Sequence, residues 1–329
     1  MMKDVAKLCK KLIEIESVTG NELEAGNFVY DYLKDIGAKV KKQRVAENRY
    51  NIIGKISGRG PKVQVVAHLD TVPGNIPIKI TKDKIFGRGA VDVKGPTACI
   101  LSSLEKCERD LTLVFDVGEE VNFIGSEYAS KLKELQKADL CLVTEPTDCK
   151  VAITQKGIIT FRVKMFGKSI TTALAHKGVN AISKALDMAN ELRKHKLVNL
   201  VEIHGGEADN IVPDYCELKI NVRVPAKMDA DMLINKFKKT VGKSGEFDIK
   251  IFKKPWEAKI TKDVVWFKNL AKAQYLDFPA YTTAQYWGRH MPTVIFGPGD
   301  YSRAHSKNEF ITIKEMLKGK KIYEKLWRV

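Results

Sequence analysis

No stretch of this 329-residue chain approaches the roughly 20 consecutive apolar residues of a membrane span, although 44% of its residues are hydrophobic. The opening MMKDVAKLCKKLIEIES also lacks the unbroken apolar core of a signal peptide. Its interspersed charges predict instead an amphipathic helix near residues 2–16 of the mature fold. CxxC spacing is missing too. The six cysteines (Cys9, Cys99, Cys107, Cys141, Cys149, Cys216) cluster neither with each other nor with histidine. That argues against a zinc finger or a redox pair and suits buried thiols in a reducing cytoplasm. Acidic residues are the scarcer charge, 40 Asp+Glu against 56 Lys+Arg, for a formal net charge of +16. Such an excess can steer an anionic partner: nucleic acid, an acidic small molecule or an acidic carrier protein. The lysines, however, are scattered in ones and twos (Lys41–Lys42, Lys238–Lys239) with no recognisable nucleic-acid module, so a solvated lysine-rich surface is the plainer reading. Neither a nucleic-acid nor a membrane partner is expected.

What is present is an alternation of helical and strand patterns, in a chain whose length suits two domains. Helices are expected near 2–16 and 21–36, and strands near 38–46, 50–57 and 62–68. Gly95–Pro96 then opens a helix, LTLVFDV is a strand, SEYASKLKEL a helix and ADLCLVTEP a strand. Strands separated by helices of this size predict a mostly parallel α/β sheet. From residue 157 the order becomes βαββαβ, that of a split-βαβ, ferredoxin-like unit. After Pro255 the α/β pattern resumes with a helix near 263–275, the strand PTVIFGPG and a C-terminal helix from Ile313. The expected architecture is an α/β domain in two parts, 1–156 and 257–329, with a smaller domain, 157–256, inserted between them.

The chemistry gathers where strands end. In AHLDTVPGN, His68 and Asp70 point to the same side of an extended strand. The pair suits a metal-ligating imidazole with a carboxylate behind it, or a strand-end histidine satisfied by a neighbour. Glu119 and Glu120 follow LTLVFDVG, Glu145 follows ADLCLVT, and His305 lies soon after TVIFGPG, while Asp92 precedes a helix start in GRGAVDVKGP. In open α/β sheets ligands bind outside the carboxyl ends of the strands, so these residues can converge although far apart in sequence. Two histidines and three carboxylates suit a pair of Zn, Co or Mn ions, with Asp92 the natural bridge. An adjacent Glu–Glu pair is by itself often a solvated loop. With Glu120 on a metal, though, Glu119 is placed to take a proton from the attacking water and pass it to a leaving nitrogen.

As a set, AHLDTVPGN, GRGAVDVKGP, GEE, TEPT (144–147) and FGPGD…AHSKNE (296–309) resemble the signature blocks of the co-catalytic zinc exopeptidase and deacylase family. That family includes acetylornithine deacetylase, succinyl-diaminopimelate desuccinylase, aminoacylase, peptidase T and the carrier-protein-linked lysine/ornithine hydrolases. The wording of GRGAVDVKGP most resembles this last branch, which belongs to amino-acid biosynthesis. The resemblance implies a zinc-exopeptidase-like catalytic domain, an inserted lid and dimerisation domain, and a cytoplasmic homodimer. It implies two divalent metal ions: His68 and Glu145 on one, Glu120 and His305 on the other, Asp92 between them, Asp70 orienting His68, and Glu119 as catalytic base. The implied reaction is removal of an N-acyl group from an amino acid of the ornithine, lysine or diaminopimelate kind. A dipeptidase or tripeptidase on the same scaffold, and a metal-binding member without turnover, are the alternatives.

Three departures stand out. Gly118 occupies the first place of the family's DEE. In GKSITTALAHKG, Thr171 stands where the family has a histidine that stabilises the oxyanion, a contribution of about 3 kcal/mol. His176 or His204 can replace it, or be a surface or strand-end histidine. YTTAQYWGR (281–289), with Ala284, stands where a TSD-type segment helps to form the substrate pocket. Asn210 and Arg223 do match family positions; Arg223 can clamp a substrate carboxylate or pair across its own sheet.

Overall fold

The computed structural model describes residues 5–328, and its chain divides into two compact units. One takes the chain up to Thr154, Ala258–Phe278 and the chain from Thr282; the other is Gln155–Glu257 with Pro279–Tyr281. Among the described residues no helix is long and apolar enough to cross a membrane, and all six cysteines are free.

The first unit is built on a mixed sheet whose neighbours run, in spatial order, Lys39–Ala46, Arg49–Ile56, Arg109–Asp116, Arg59–His68, Leu140–Val143, Thr293–Ile295 and Val151–Gln155. Its middle is parallel: Arg59–His68 pairs in parallel with both Arg109–Asp116 and Leu140–Val143, and Thr293–Ile295 continues the run beyond Leu140–Val143. These strands read as near-continuous apolar runs because they are covered on both faces. The chain leaves Arg59–His68, adds Arg109–Asp116 on one side, then crosses to add Leu140–Val143 on the other. That reversal opens a crevice at the carboxyl ends of the strands, where an α/β sheet places its ligand.

Helix Gly95–Ser103 lies against Val5–Glu14 and Ile313–Leu326, and all nine of its residues are buried. A helix apolar around its whole circumference can only be an interior one, and TACILSS is such a sequence. Pro96 in its first turn needs no amide partner there. Ile313–Leu326 begins with a capping box in which the Thr312 hydroxyl accepts from the Glu315 amide and the Glu315 carboxylate accepts from the Thr312 amide.

Three local expectations change. The first helix is Val5–Glu14, residues 2–4 of the expected span lying outside the described residues, as does residue 329. The helix expected over SEYASKLKEL ends at Ala129; the backbone is extended at Leu132, and the Gln136 side chain donates to the Ser130 carbonyl that a continuing helix would have used. The helix expected near 263–275 is Lys262–Leu270, and a strand missed in the sequence, Tyr275–Phe278, follows it.

In the second unit four strands pair throughout antiparallel in the order Val198–Gly205, Tyr215–Val224, Gly157–Phe166, Glu246–Lys253. With helices Ala181–Arg193 and Ala230–Val241 this is the split-βαβ arrangement. In Tyr215–Val224 every second residue, Cys216, Leu218, Ile220, Val222 and Val224, is buried, the period-2 signature of a sheet covered on one face. Phe161 stacks between Phe237 and Phe247 at centroid distances of 5.3 and 4.5 Å. Asn180 and Asp229 cap the two helices, each side chain accepting two backbone amides.

Candidate metal centre

Six ionisable side chains from five segments of the first unit meet at the crevice. His68 is the last residue of its strand, and its Nδ1 lies 2.8 Å from the Asp70 backbone carbonyl. Nδ1 must therefore donate to that carbonyl, so Nε2 is the nitrogen that could face a cation. Nε2 is 3.1 Å from Asp92 Oδ1. The other Asp92 oxygen, Oδ2, is 3.3 Å from His305 Nε2, which also lies 3.1 Å from Glu120. Asp92 thus faces one imidazole with each oxygen, as a bridging carboxylate must. Two sets of donor atoms, one from His68, Asp92 and Glu145 and one from Asp92, Glu120 and His305, each lie within 4.8 Å of one another.

The loops that carry these groups are held from behind. Asp92 sits in the irregular turn Ala90–Lys94 ahead of the buried helix, and the Val91 and Asp92 amides both donate to Glu309 Oε1, at 3.0 and 3.2 Å. The second Glu309 oxygen accepts from Arg88 at 2.8 Å. Glu309, 1% exposed, thereby ties the His305 segment to the Asp92 turn. Glu145 follows its strand by two residues, and Gly297 is what lets the neighbouring loop approach it: a Cβ there would lie 2.5 Å from the Glu145 carbonyl.

Asp70 differs from expectation. Its carboxylate stays 3.8 Å from His68 Nδ1, which is oriented by the Asp70 backbone instead. The Asp70 side chain accepts from the Glu119 and Glu120 amides at 3.0 and 3.1 Å and from the Thr19 hydroxyl at 2.7 Å. It therefore positions the Glu119–Glu120 pair. Gly118 has a structural reason: its φ is +76°, and a Cβ would lie 2.9 Å from Arg49 Nη2. Arg49, ion-paired to the buried Glu22, fills the space that an aspartate side chain would need.

The electrostatics fit a cationic guest. Burial pushes Glu119 and Glu145 well above the usual carboxylate range, and their neighbours Glu145 and Asp92, respectively, push them further; burial raises Glu120 too. Burial alone would depress His68, yet its hydrogen bond and charge contact with Asp92 raise it well above an ordinary histidine. His305 is pushed up to about 10, first by its hydrogen bonds to Asp92 and Glu120. Like charges crowded in a low-dielectric crevice hold protons in the absence of other cations. Two divalent ions would replace those protons, and the nitrogen and oxygen donors present suit Zn, Co or Mn.

The remaining sequence candidates lie in the second unit, on its exterior. Thr171, His176, His204, Asn210 and Arg223 are all exposed. His204 Nε2 is 3.5 Å from Glu202, and the Asn210 backbone carbonyl accepts from the Thr172 amide. Arg223 makes no ion pair among the described residues, so it does not pair across its sheet. In the first unit Ala284 is wholly buried, in the short helix Ala284–Gly288. Sequence reading gave no role to Glu309, Arg88, Thr19, Glu22 or Arg49; Glu309 and Arg88 left a trace, as residues of the blocks AHSKNE and GRGAVDVKGP.

The model of peptidase family M20/M25/M40 matches residues 65–329. A peptidase M20 domain-containing protein of Schizosaccharomyces pombe is 30% identical over 345 residues, 98% of this chain and 84% of its own length. A putative LysW-lysine/LysW-ornithine hydrolase of Pyrococcus abyssi is 34% identical over 176 residues, 52% of this chain and 50% of its own. The crystal structure of a Staphylococcus aureus tripeptidase has the same fold, with a TM-score of 0.84 at 22% identity over 99% of this chain and 98% of that one.

Proposed function

The chain belongs to peptidase family M20/M25/M40, metal-dependent hydrolases of the peptide bond, and from that premise we propose that it removes the acyl group from an N-acyl amino acid of the ornithine, lysine or diaminopimelate kind. The observation that carries the reading is the pair of donor sets sharing Asp92, with a buried Glu119 beside them. His68 and Glu145 would hold one cation and Glu120 and His305 the other. When bound, such ions polarise a scissile carbonyl and lower the pKa of water.

The chain's own residues do the rest. The Glu119 carboxylate takes a proton from the attacking water and delivers it to the leaving nitrogen. Burial raises its affinity for a proton above that of an ordinary carboxylate, which strengthens it as a base toward the attacking water. Asp70 keeps that carboxylate in place through the Glu119 and Glu120 amides, and Glu309 does the same for Asp92. The Pyrococcus relative, matched over half the chain, supports an ornithine- or lysine-type substrate, and the net charge of +16 suits an acidic acyl group or carrier. Arg223, exposed and unpaired among the described residues, is available to a substrate carboxylate.

Excess EDTA abolishes hydrolysis of N-acyl amino acids and Zn or Co restores it; activity indifferent to the chelator would refute the mechanism. Acetylornithine, succinyl-diaminopimelate, carrier-linked lysine and a few dipeptides, assayed side by side, identify the acyl group. Preference for the dipeptides favours the second reading, an exopeptidase, which the tripeptidase-like fold supports.

A further inference from the structure

A cavity of about 320 Å³ opens in the first unit beside the loops that carry Asp70 and Asp92, near the lower end of the roughly 300–1,000 Å³ typical of small-molecule sites. None of the candidate metal ligands lines it. Its buried side is polar and cationic. Ser17 is fully buried, and its hydroxyl has no hydrogen-bond partner among the described residues. Lys94 is 7% exposed, and its ammonium donates to the Ile15 carbonyl at 2.6 Å, with two further N–H groups left over. Arg88 engages Gly74 through Nε and Glu309 through Nη1, while its Nη2 makes no hydrogen bond among the described residues. At the exposed rim stands Glu16, in no ion pair among the described residues. Ile13 and Ile76 give the cavity a buried aliphatic wall.

A buried hydroxyl without a partner calls for an explanation, and here it stands in the same cavity as a buried ammonium with donors to spare. A carboxylate accepts from both. A carboxylate on that side, a cation at Glu16 and hydrocarbon against the isoleucines together describe one class of molecule. We propose that this cavity is a second ligand site, separate from the metal centre, for a free amino acid with an aliphatic side chain, whose carboxylate is received by Ser17 and Lys94 and whose ammonium is received by Glu16. Arg88 lines the cavity and is ion-paired to Glu309, which holds the Val91 and Asp92 amides. An occupant that draws on Arg88 therefore bears on the Asp92 turn.

Calorimetric titration of the full-length, metal-loaded protein with L-leucine tests the site, with 4-methylpentanoate (no ammonium) and 3-methylbutylamine (no carboxylate) as paired probes. L-leucine binds, each analogue binds at least about tenfold more weakly, and Glu16→Gln and Ser17→Ala each weaken leucine by a similar factor. Glu16 is exposed, so Glu16→Gln leaves the thermal midpoint unchanged and its result does not depend on refolding. Chelator-treated protein still binds leucine. Absence of leucine binding, analogues that bind as well as leucine, or binding that disappears with the metal would each overturn the proposal.

Discussion

In the first unit the buried charge is concentrated at the ends of parallel strands, where His68, Asp70, Asp92, Asp116, Glu119 and Glu145 are each less than one-tenth exposed. The second unit, among its described residues, buries no acidic or basic side chain at all. Its core is aliphatic and aromatic, and every polar residue that the sequence suggested for function lies on its exterior. One region holds a charged constellation in a shape it would not choose for stability; the other is stabilised by apolar burial and keeps its charged side chains at the surface. Buried charges are tolerated only when each has a counter-charge, a hydrogen bond or a cation. That is why the first unit needs Asp70, Arg88, Arg49 and Glu309 behind its working groups and the second needs no such shell.

This contrast can be broken or sharpened by substitution. The largest effect is expected from Glu119→Gln, which retains bound metal by elemental analysis while turnover falls about 10²–10⁴-fold; near-normal turnover removes the base assignment. Glu309→Ala and Phe161→Ala form a matched pair. Each is expected to lose about 3–5 kcal/mol in denaturant unfolding, the first by orphaning Arg88 and two buried amides and the second by opening a cavity between Phe237 and Phe247. Only Glu309→Ala also weakens metal binding, by about 10–100-fold. Equal metal affinity in the two variants would show that the Glu309 clamp does not position Asp92.

Asp116 offers a pH-resolved test. Burial pushes its carboxyl up to about 7, and its Oδ1 has no hydrogen-bond partner among the described residues, while Ser126 donates to Oδ2. A folded-state pKa above the unfolded value means that its stabilising contribution is complete below about pH 4 and is lost as the pH rises through about 7, in total on the order of 4 kcal/mol. Asp116→Asn should therefore gain thermal stability relative to the parent between pH 5 and pH 9; a constant difference across that range would remove Asp116 as the source. The smallest structural effect belongs to the second unit: Arg223→Ala should change stability by no more than about 0.5 kcal/mol. It should nevertheless raise KM for a carboxylate-bearing substrate roughly tenfold with kcat little changed. An unaltered KM would return Arg223 to the solvated surface.

Much of this arrangement was legible in the residues themselves. Strand ends could be located because apolar runs such as VQVVA and LTLVFDV stop abruptly at polar residues, and the ligand candidates occupy those stops. The βαββαβ order of the second unit was readable from the switch between period-2 and period-3.6 patterns. The reading faltered where a tertiary partner decides a local question. The helix stops at Ala129 where the Ser130 carbonyl finds Gln136 instead of a helical amide, Asp70 turned its carboxylate to the Glu119 and Glu120 amides, and Arg49 is a pattern-free strand residue until it is seen against Gly118. Glu309 resembles any polar loop residue until the Asp92 turn folds onto it.

The linear order of residues was enough to determine which side chains end their strands and which faces are apolar, because periodicity and turn chemistry act over a few residues. Which atoms face each other was settled only by the sheet, whose parallel pairing brings strands distant in the chain side by side. Hydrogen bonds and charge interactions act over a few ångströms, so the division of Asp92 between two imidazoles, and of Glu309 between an arginine and two amides, exists only once those strands have met.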